Sequence, residues 1–117
     1  MPTGARGEAI LTVDGQRYEV LFTNRALAEA EALTGKTVTQ LLDRAAIGMT
    51  DLANLTLVGM EAARRDTDPR RARYTIADAW DLIDKVGFMP VLRAVTESLV
   101  AVMTYSGEEQ EPADPPA

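Results

Sequence analysis

Glu8-Ala9-Ile10-Leu11-Thr12-Val13-Asp14-Gly15-Gln16-Arg17-Tyr18-Glu19-Val20-Leu21-Phe22 is two runs of alternating apolar and polar residues around an Asp-Gly pair. Asp-Gly supplies the two positive φ angles that a two-residue type I′ turn demands, so the stretch predicts a β-hairpin. A turn at Asp14 and Gly15 pairs Val13 with Gln16, Leu11 with Tyr18, Ala9 with Val20 and Gly7 with Phe22. That register gathers the apolar side chains on one face and puts Thr12 beside Arg17 and Ile10 beside Glu19 on the other. A slip of one residue would scramble both faces, so pattern and turn agree. Tyr18, Val20 and Phe22 are expected to pack inward near Leu27.

No second strand pair is recognisable after Phe22. A lone hairpin is marginal in water and leaves two edges unpaired, so helices must cover one face. Thr23 or Asn24 caps a helix from about Arg25, with Ala26, Ala30 and Leu33 on one stripe, Leu27 beside it, and Gly35 as the turn-off. Thr37 and Gln40 have capping-box spacing and open a short helix from Val38 to about Ala46, with Val38, Leu41, Leu42 and Ala45 inward. Thr50 and Asp51 begin a helix reaching about Arg65, with Leu52, Leu55, Gly59 and Ala62 on one face. Thr75 caps a helix over Ile76 to Val86 with Ile76, Ala79, Trp80 and Ile83 inward, and Trp80 is expected as a core anchor. Gly87 ends it. Pro90 suits the first turn of a last helix running to about Tyr105, striped by Val91, Val95, Leu99 and Val102. Its apolar character on other sides predicts either a central position or partial burial in a neighbour. The fold class expected is therefore α+β: an N-terminal two-stranded antiparallel hairpin packed on a bundle of about four to five helices.

The chain has 117 residues, enough for one domain with a modest core. The domain is expected over residues 7–105, between a disordered N-terminus (1–6) and a disordered tail (106–117). The tail, Ser-Gly-Glu-Glu-Gln-Glu-Pro-Ala-Asp-Pro-Pro-Ala, is acidic, Pro-rich and without large apolar residues. The formal net charge of −6 argues against general nucleic-acid binding, which draws most of its affinity from a basic surface. No apolar run reaches the roughly 18 residues that span a bilayer, so no membrane partner is expected. The first seven residues lack the apolar core of a secretory signal, which makes a cytoplasmic location the expectation.

The chain contains no Cys and no His. A thiolate nucleophile, a Cys-based metal site and the usual neutral-pH proton carrier are thus all missing. No phosphate loop or Ca²⁺-loop spacing occurs either. The expectation is a protein that is not an enzyme and needs no cofactor or metal. One local feature stands out: Arg64, Arg65, Arg70, Arg71 and Arg73 crowd around Asp66 and Asp68. Such runs are usually solvated connections. The functional reading kept beside that one is docking of an acidic partner surface. Glu61, Asp43 and Arg44 are expected on ordinary solvated faces.

The order of these pieces resembles a known family. The resemblance is carried by Gly7-Glu8-Ala-Ile-Leu-Thr-Val-Asp-Gly15, by Tyr18 and Val20, and by Asn24-Arg-Ala-Leu-Ala-Glu-Ala-Glu-Ala-Leu-Thr-Gly-Lys36. Thr75-Ile-Ala-Asp-Ala-Trp-Asp-Leu-Ile with Gly87 and a long Ala- and Val-rich helix extends it. Over residues 7 to 105 the chain is similar to the small tail-assembly proteins of siphophages and gene transfer agents, some of which are labelled tail tube proteins. The resemblance implies a non-catalytic tail assembly chaperone that holds the tape-measure protein in the host cytoplasm. The major tail protein would be a further partner, and a homo-oligomer is compatible. The alternative is a structural tube protein retained in the virion tail. A tube subunit closes sheets around a lumen and needs many strands, so a single hairpin favours the chaperone. The candidate partner contacts are the outward hairpin residues Ile10, Thr12, Arg17 and Glu19, the loop residues Arg70, Arg71 and Arg73, and Val95, Leu99 and Val102 on the last helix.

Overall fold

In a computed structural model, which describes residues 7–105, Asp14 (φ 51°) and Gly15 (φ 78°) form the expected left-handed pair. They join β1 (Glu8–Val13) to β2 (Gln16–Leu21). The register is the one the turn dictates: Val13 faces Gln16, Leu11 faces Tyr18 and Ala9 faces Val20. The open end is pinned by the Phe22 N–H, which donates to the Gly7 carbonyl at 2.8 Å. Val20 and Phe22 are essentially fully buried, Leu11 is buried and Tyr18 half-buried, whereas Ile10, Thr12, Arg17 and Glu19 are exposed. This is an α+β fold, with a two-stranded antiparallel sheet and helices α1 (Asn24–Thr34), α2 (Val38–Leu41), α3 (Met49–Thr67), α4 (Ile76–Val86) and α5 (Phe88–Thr104). A 3-10 turn at Arg44–Ala46 lies between α2 and α3. The segments 1–6 and 106–117, expected as disordered ends, lie outside the described residues.

The helix boundaries follow their caps. The Thr23 hydroxyl accepts from the Ala26 N–H at 3.0 Å, and Gly35 closes α1 in the left-handed conformation. Thr37 with Gln40, and Thr75 with Asp78, each form a reciprocal capping box. Gly48, with no side-chain cap, precedes α3. Asp51, in its first turn, takes a salt bridge from Lys36 that ties the α1–α2 linker to the start of α3.

Helix α3, not α5, is the centre of the molecule. It packs on β2, α1, α4 and α5, and it is buried at nearly every position from Leu52 to Ala63. Gly59 makes the closest approach. A β-carbon built there would lie 2.9 Å from Val20 Cβ and 3.0 Å from the Phe22 ring, so the helix lies directly on the inner face of β2. Thr56 is buried within this helix because its hydroxyl donates to the Leu52 carbonyl at 2.7 Å. α5 packs on β1, with Val91, Val95 and Leu99 fully buried.

Several inward assignments need correction. Leu33 is 48% exposed: α1 buries Ala26, Leu27 and Ala30 in its first two turns, and its last turn runs past the core. Ala45 is exposed and Ile47 buried in its place. The reason is local. α2 stops at Leu41, and the Asp43 carboxylate accepts from the Ala45 N–H at 3.1 Å, resetting the helical phase. Ile76 is 41% exposed, and Leu82 joins Ala79 and Ile83 on the buried face of α4. Trp80 is only half-buried, packed against the edge of the core rather than anchoring its middle.

Candidate partner-binding surface

Glu61 is the largest departure from the sequence reading. It is buried, at 8% exposure, on the polar margin of α3. Arg64, one helical turn on, grips its carboxylate with two guanidinium nitrogens, Nε to Oε2 at 3.0 Å and Nη2 to Oε1 at 2.9 Å. The same carboxylate accepts the backbone N–H of Tyr74, and Arg73 approaches to 3.7 Å. The free Nη1 of Arg64 donates to the carbonyls of Pro69 (3.1 Å) and Arg71 (3.0 Å). Between them the two side chains fasten the whole α3–α4 connection to α3. Within it, Asp68-Pro69-Arg70-Arg71 is a β-turn closed by the Arg71 N–H on the Asp68 carbonyl at 3.0 Å, with Pro at the position its fixed φ suits.

Burial alone pushes the Glu61 carboxyl up. The Arg64 and Tyr74 hydrogen bonds and the charges of Arg64 and Arg73 outweigh that and hold it below the ordinary glutamate range. The Arg64 guanidinium is in turn pushed up, first by its hydrogen bond to Glu61. The sign for stability follows. The unfolded chain takes up the Glu61 proton at higher pH than the folded one, so the clamp contributes fully above about pH 4.5 and is lost as pH falls through the folded value. Urea unfolding across pH 3 to 7 is expected to show Glu61→Gln less stable than the native chain at neutral pH. The difference should shrink as the pH drops below 4.5. A constant difference at all pH values would refute the clamp.

Clamping the connection brings the hairpin and the arginine loop together. Arg17 and Glu19, paired at 3.5 Å on the outward face of β2, line a cleft of about 220 Å³. Its other walls are Met60, Ala63, Arg64 and Thr67 from α3, and Asp68, Arg71 and Tyr74 from the connection. The Arg71 guanidinium carbon lies 5.1 Å from the centre of the Tyr74 ring, a cation–π contact that orients it. Arg70 and Arg73, in the same connection, are exposed.

Of the residues expected to meet a partner, Ile10, Thr12, Arg17, Glu19, Arg70, Arg71 and Arg73 are on the surface. Val95 and Leu99 are not: both have no exposed area, because this face of α5 forms the core. Val102 is half-buried, with its Cβ 3.1 Å from where a side chain on Gly7 would begin. The apolar surface of α5 lies elsewhere, at Met89 (56% exposed), Val100 (46%) and Met103 (40%). The i, i+3 spacing of Glu61 and Arg64 was the available signal for the clamp, and the spacing of Val100 and Met103 for the second apolar face.

The hairpin leaves backbone groups free. Because Val13 and Gln16 flank the turn as a hydrogen-bonded pair, the N–H and C=O groups of Glu8, Ile10 and Thr12 point away from β2, and those of Arg17, Glu19 and Leu21 point away from β1. Among the described residues, no hydrogen bond reaches any of these groups. Among the same residues, no cluster of metal-ligating side chains occurs, and no single helix is long and apolar enough to cross a membrane. Comparison with protein-family models, with curated proteins and with solved structures finds no match to this chain.

Proposed function

We propose that the chain is a non-catalytic tail assembly chaperone of the siphophage or gene-transfer-agent type, which binds the tape-measure protein while tails are built. The reading rests on the sequence resemblance over residues 7 to 105. The observation that carries it physically is the single two-stranded sheet among the described residues, with both outer edges unpaired. One hairpin per subunit is too little sheet to close a tube wall, but a free edge beside exposed apolar side chains suits transient binding. Val100 and Met103, three residues apart on α5, offer exposed apolar side chains of the kind an amphipathic helix packs on. In this reading the tape measure contacts them and is released as tube subunits polymerise.

Quantitative mass spectrometry of purified particles against the lysate that produced them tests the proposal. Abundance in lysate with depletion from particles supports a chaperone. Copy numbers in particles near those of the major tail protein would make it a structural tube component instead.

A further inference from the structure

We infer that the cleft between β2 and the α3–α4 connection is a docking site for a short acidic segment of a partner protein. The inference does not depend on the tail-assembly reading. Three observations carry it. First, among the described residues neither Arg70 nor Arg71 forms an ion pair, although the chain as a whole is acidic. In such a chain, unpaired arginines side by side are cations left open in a surplus of carboxylates. Second, the frame presenting them is fixed in advance. Arg64 holds the carbonyls of Pro69 and Arg71, the β-turn fixes Arg70, and Tyr74 orients the Arg71 guanidinium. A ligand meeting this loop has little backbone left to order, which is the condition under which guanidinium forks bind carboxylates well. Third, Glu19 and Asp68 share the walls with Arg17 and Arg71.

That mixed sign selects the occupant. A nucleic-acid backbone carries phosphate at every step and would be repelled by Glu19 and Asp68. A peptide can place a carboxylate against Arg70 and Arg71 and a neutral or basic residue against Glu19. The cleft volume, about 220 Å³, suits one or two side chains rather than a whole element. Arg17 and Arg71 reach the cleft from segments more than fifty residues apart in sequence, so the site exists only in the folded chain.

The test uses the full chain and a short fluorescent peptide in which two adjacent glutamates are followed by glycine and lysine, at low salt. Its counterpart with glutamine in place of both glutamates serves as control, and a single-stranded oligonucleotide as competitor. The expected result is saturable binding of the glutamate peptide, with amide NMR shifts confined to Arg17, Thr67, Asp68, Arg70, Arg71 and Tyr74. The double variant Arg70→Glu, Arg71→Glu should bind at least about tenfold more weakly with an unchanged melting curve, since both side chains are exposed. Shifts scattered over the surface, equal binding by the variant, or displacement by the oligonucleotide at equal charge would each overturn the proposal. So would cleft shifts that grow with protein concentration in the absence of peptide, because the occupant would then be a second copy of the chain. If the variant melts early, Arg70→Gln with Arg71→Gln replaces it, and retention of binding there overturns the proposal equally.

Discussion

Val20→Asp is expected to destabilise the fold severely. Val20 is 1% exposed, pairs with Ala9 across the hairpin, and lies against Gly59 of α3. An aspartate there must either stay charged without a partner or bind a proton it would not bind in water. Both routes cost several kcal/mol, about 4 as a working figure. A domain of this size has about 5–15 kcal/mol in total, so the variant keeps only a small margin at the low end of that range and melts well below the native chain. Thr12→Asp is the control. It is one strand away on the exposed face, opposite Arg17, and should leave stability within about 0.5 kcal/mol. Circular dichroism melts of the two variants decide the matter. A cooperative Val20→Asp transition at the native temperature would refute the packing of the hairpin on α3.

Gly59→Val should be the next most damaging change. Helix propensity works in favour of any substitution there, since glycine costs roughly 1 kcal/mol in a helix interior relative to alanine. Packing opposes it more strongly. The first added carbon already falls 2.9 Å from Val20 Cβ and 3.0 Å from two carbons of the Phe22 ring. Val20 and Phe22 are both pinned by the hairpin, so relief requires moving α3 off the sheet. Overpacking of this sort costs about 1–3 kcal/mol for modest insertions, and the branched valine should lie at or beyond the top of that range. The expected readout is a fall in the urea midpoint with an unchanged slope. An unchanged or raised midpoint would mean that α3 does not lie against β2 at this distance.

The parts of the fold that were legible in the sequence are those set by local chemistry. The Asp14-Gly15 turn determined the register, Thr37 and Thr75 marked helix starts by their capping hydrogen bonds, and of Thr23 and Asn24 it is Thr23 that caps the first helix. What depends on position within the packed molecule was not. α3 carries Thr56 and Glu61, residue types that suggest a surface, yet each is buried for its own reason: a bond to the helix backbone, an ion pair. α5 is apolar on several sides and resembled a central helix, but only one face meets the core. That is why Val95 and Leu99 are withdrawn from any partner while Val100 and Met103 are left outside. The candidate surface was half legible. Arg70, Arg71 and Arg73 are neighbours in sequence, but the juxtaposition of Arg71 with Arg17 and Glu19 arises only through the Glu61–Arg64 clamp.

The dependence of β2 on α3 also sets a timetable. About forty residues separate Val20 from Gly59. At a ribosomal rate of about 5–20 residues per second, Val20 and Phe22 emerge roughly 2–8 s before the helix that will cover them has been made. A hairpin closes in microseconds but is marginal by itself, so it forms only transiently, with its apolar side bare. During that interval the nascent chain displays an uncovered apolar strand pair with two open edges, the arrangement most prone to pairing with another chain. The completed protein hides this side under α3, so the time of greatest danger for this sequence lies in its synthesis rather than in its working life.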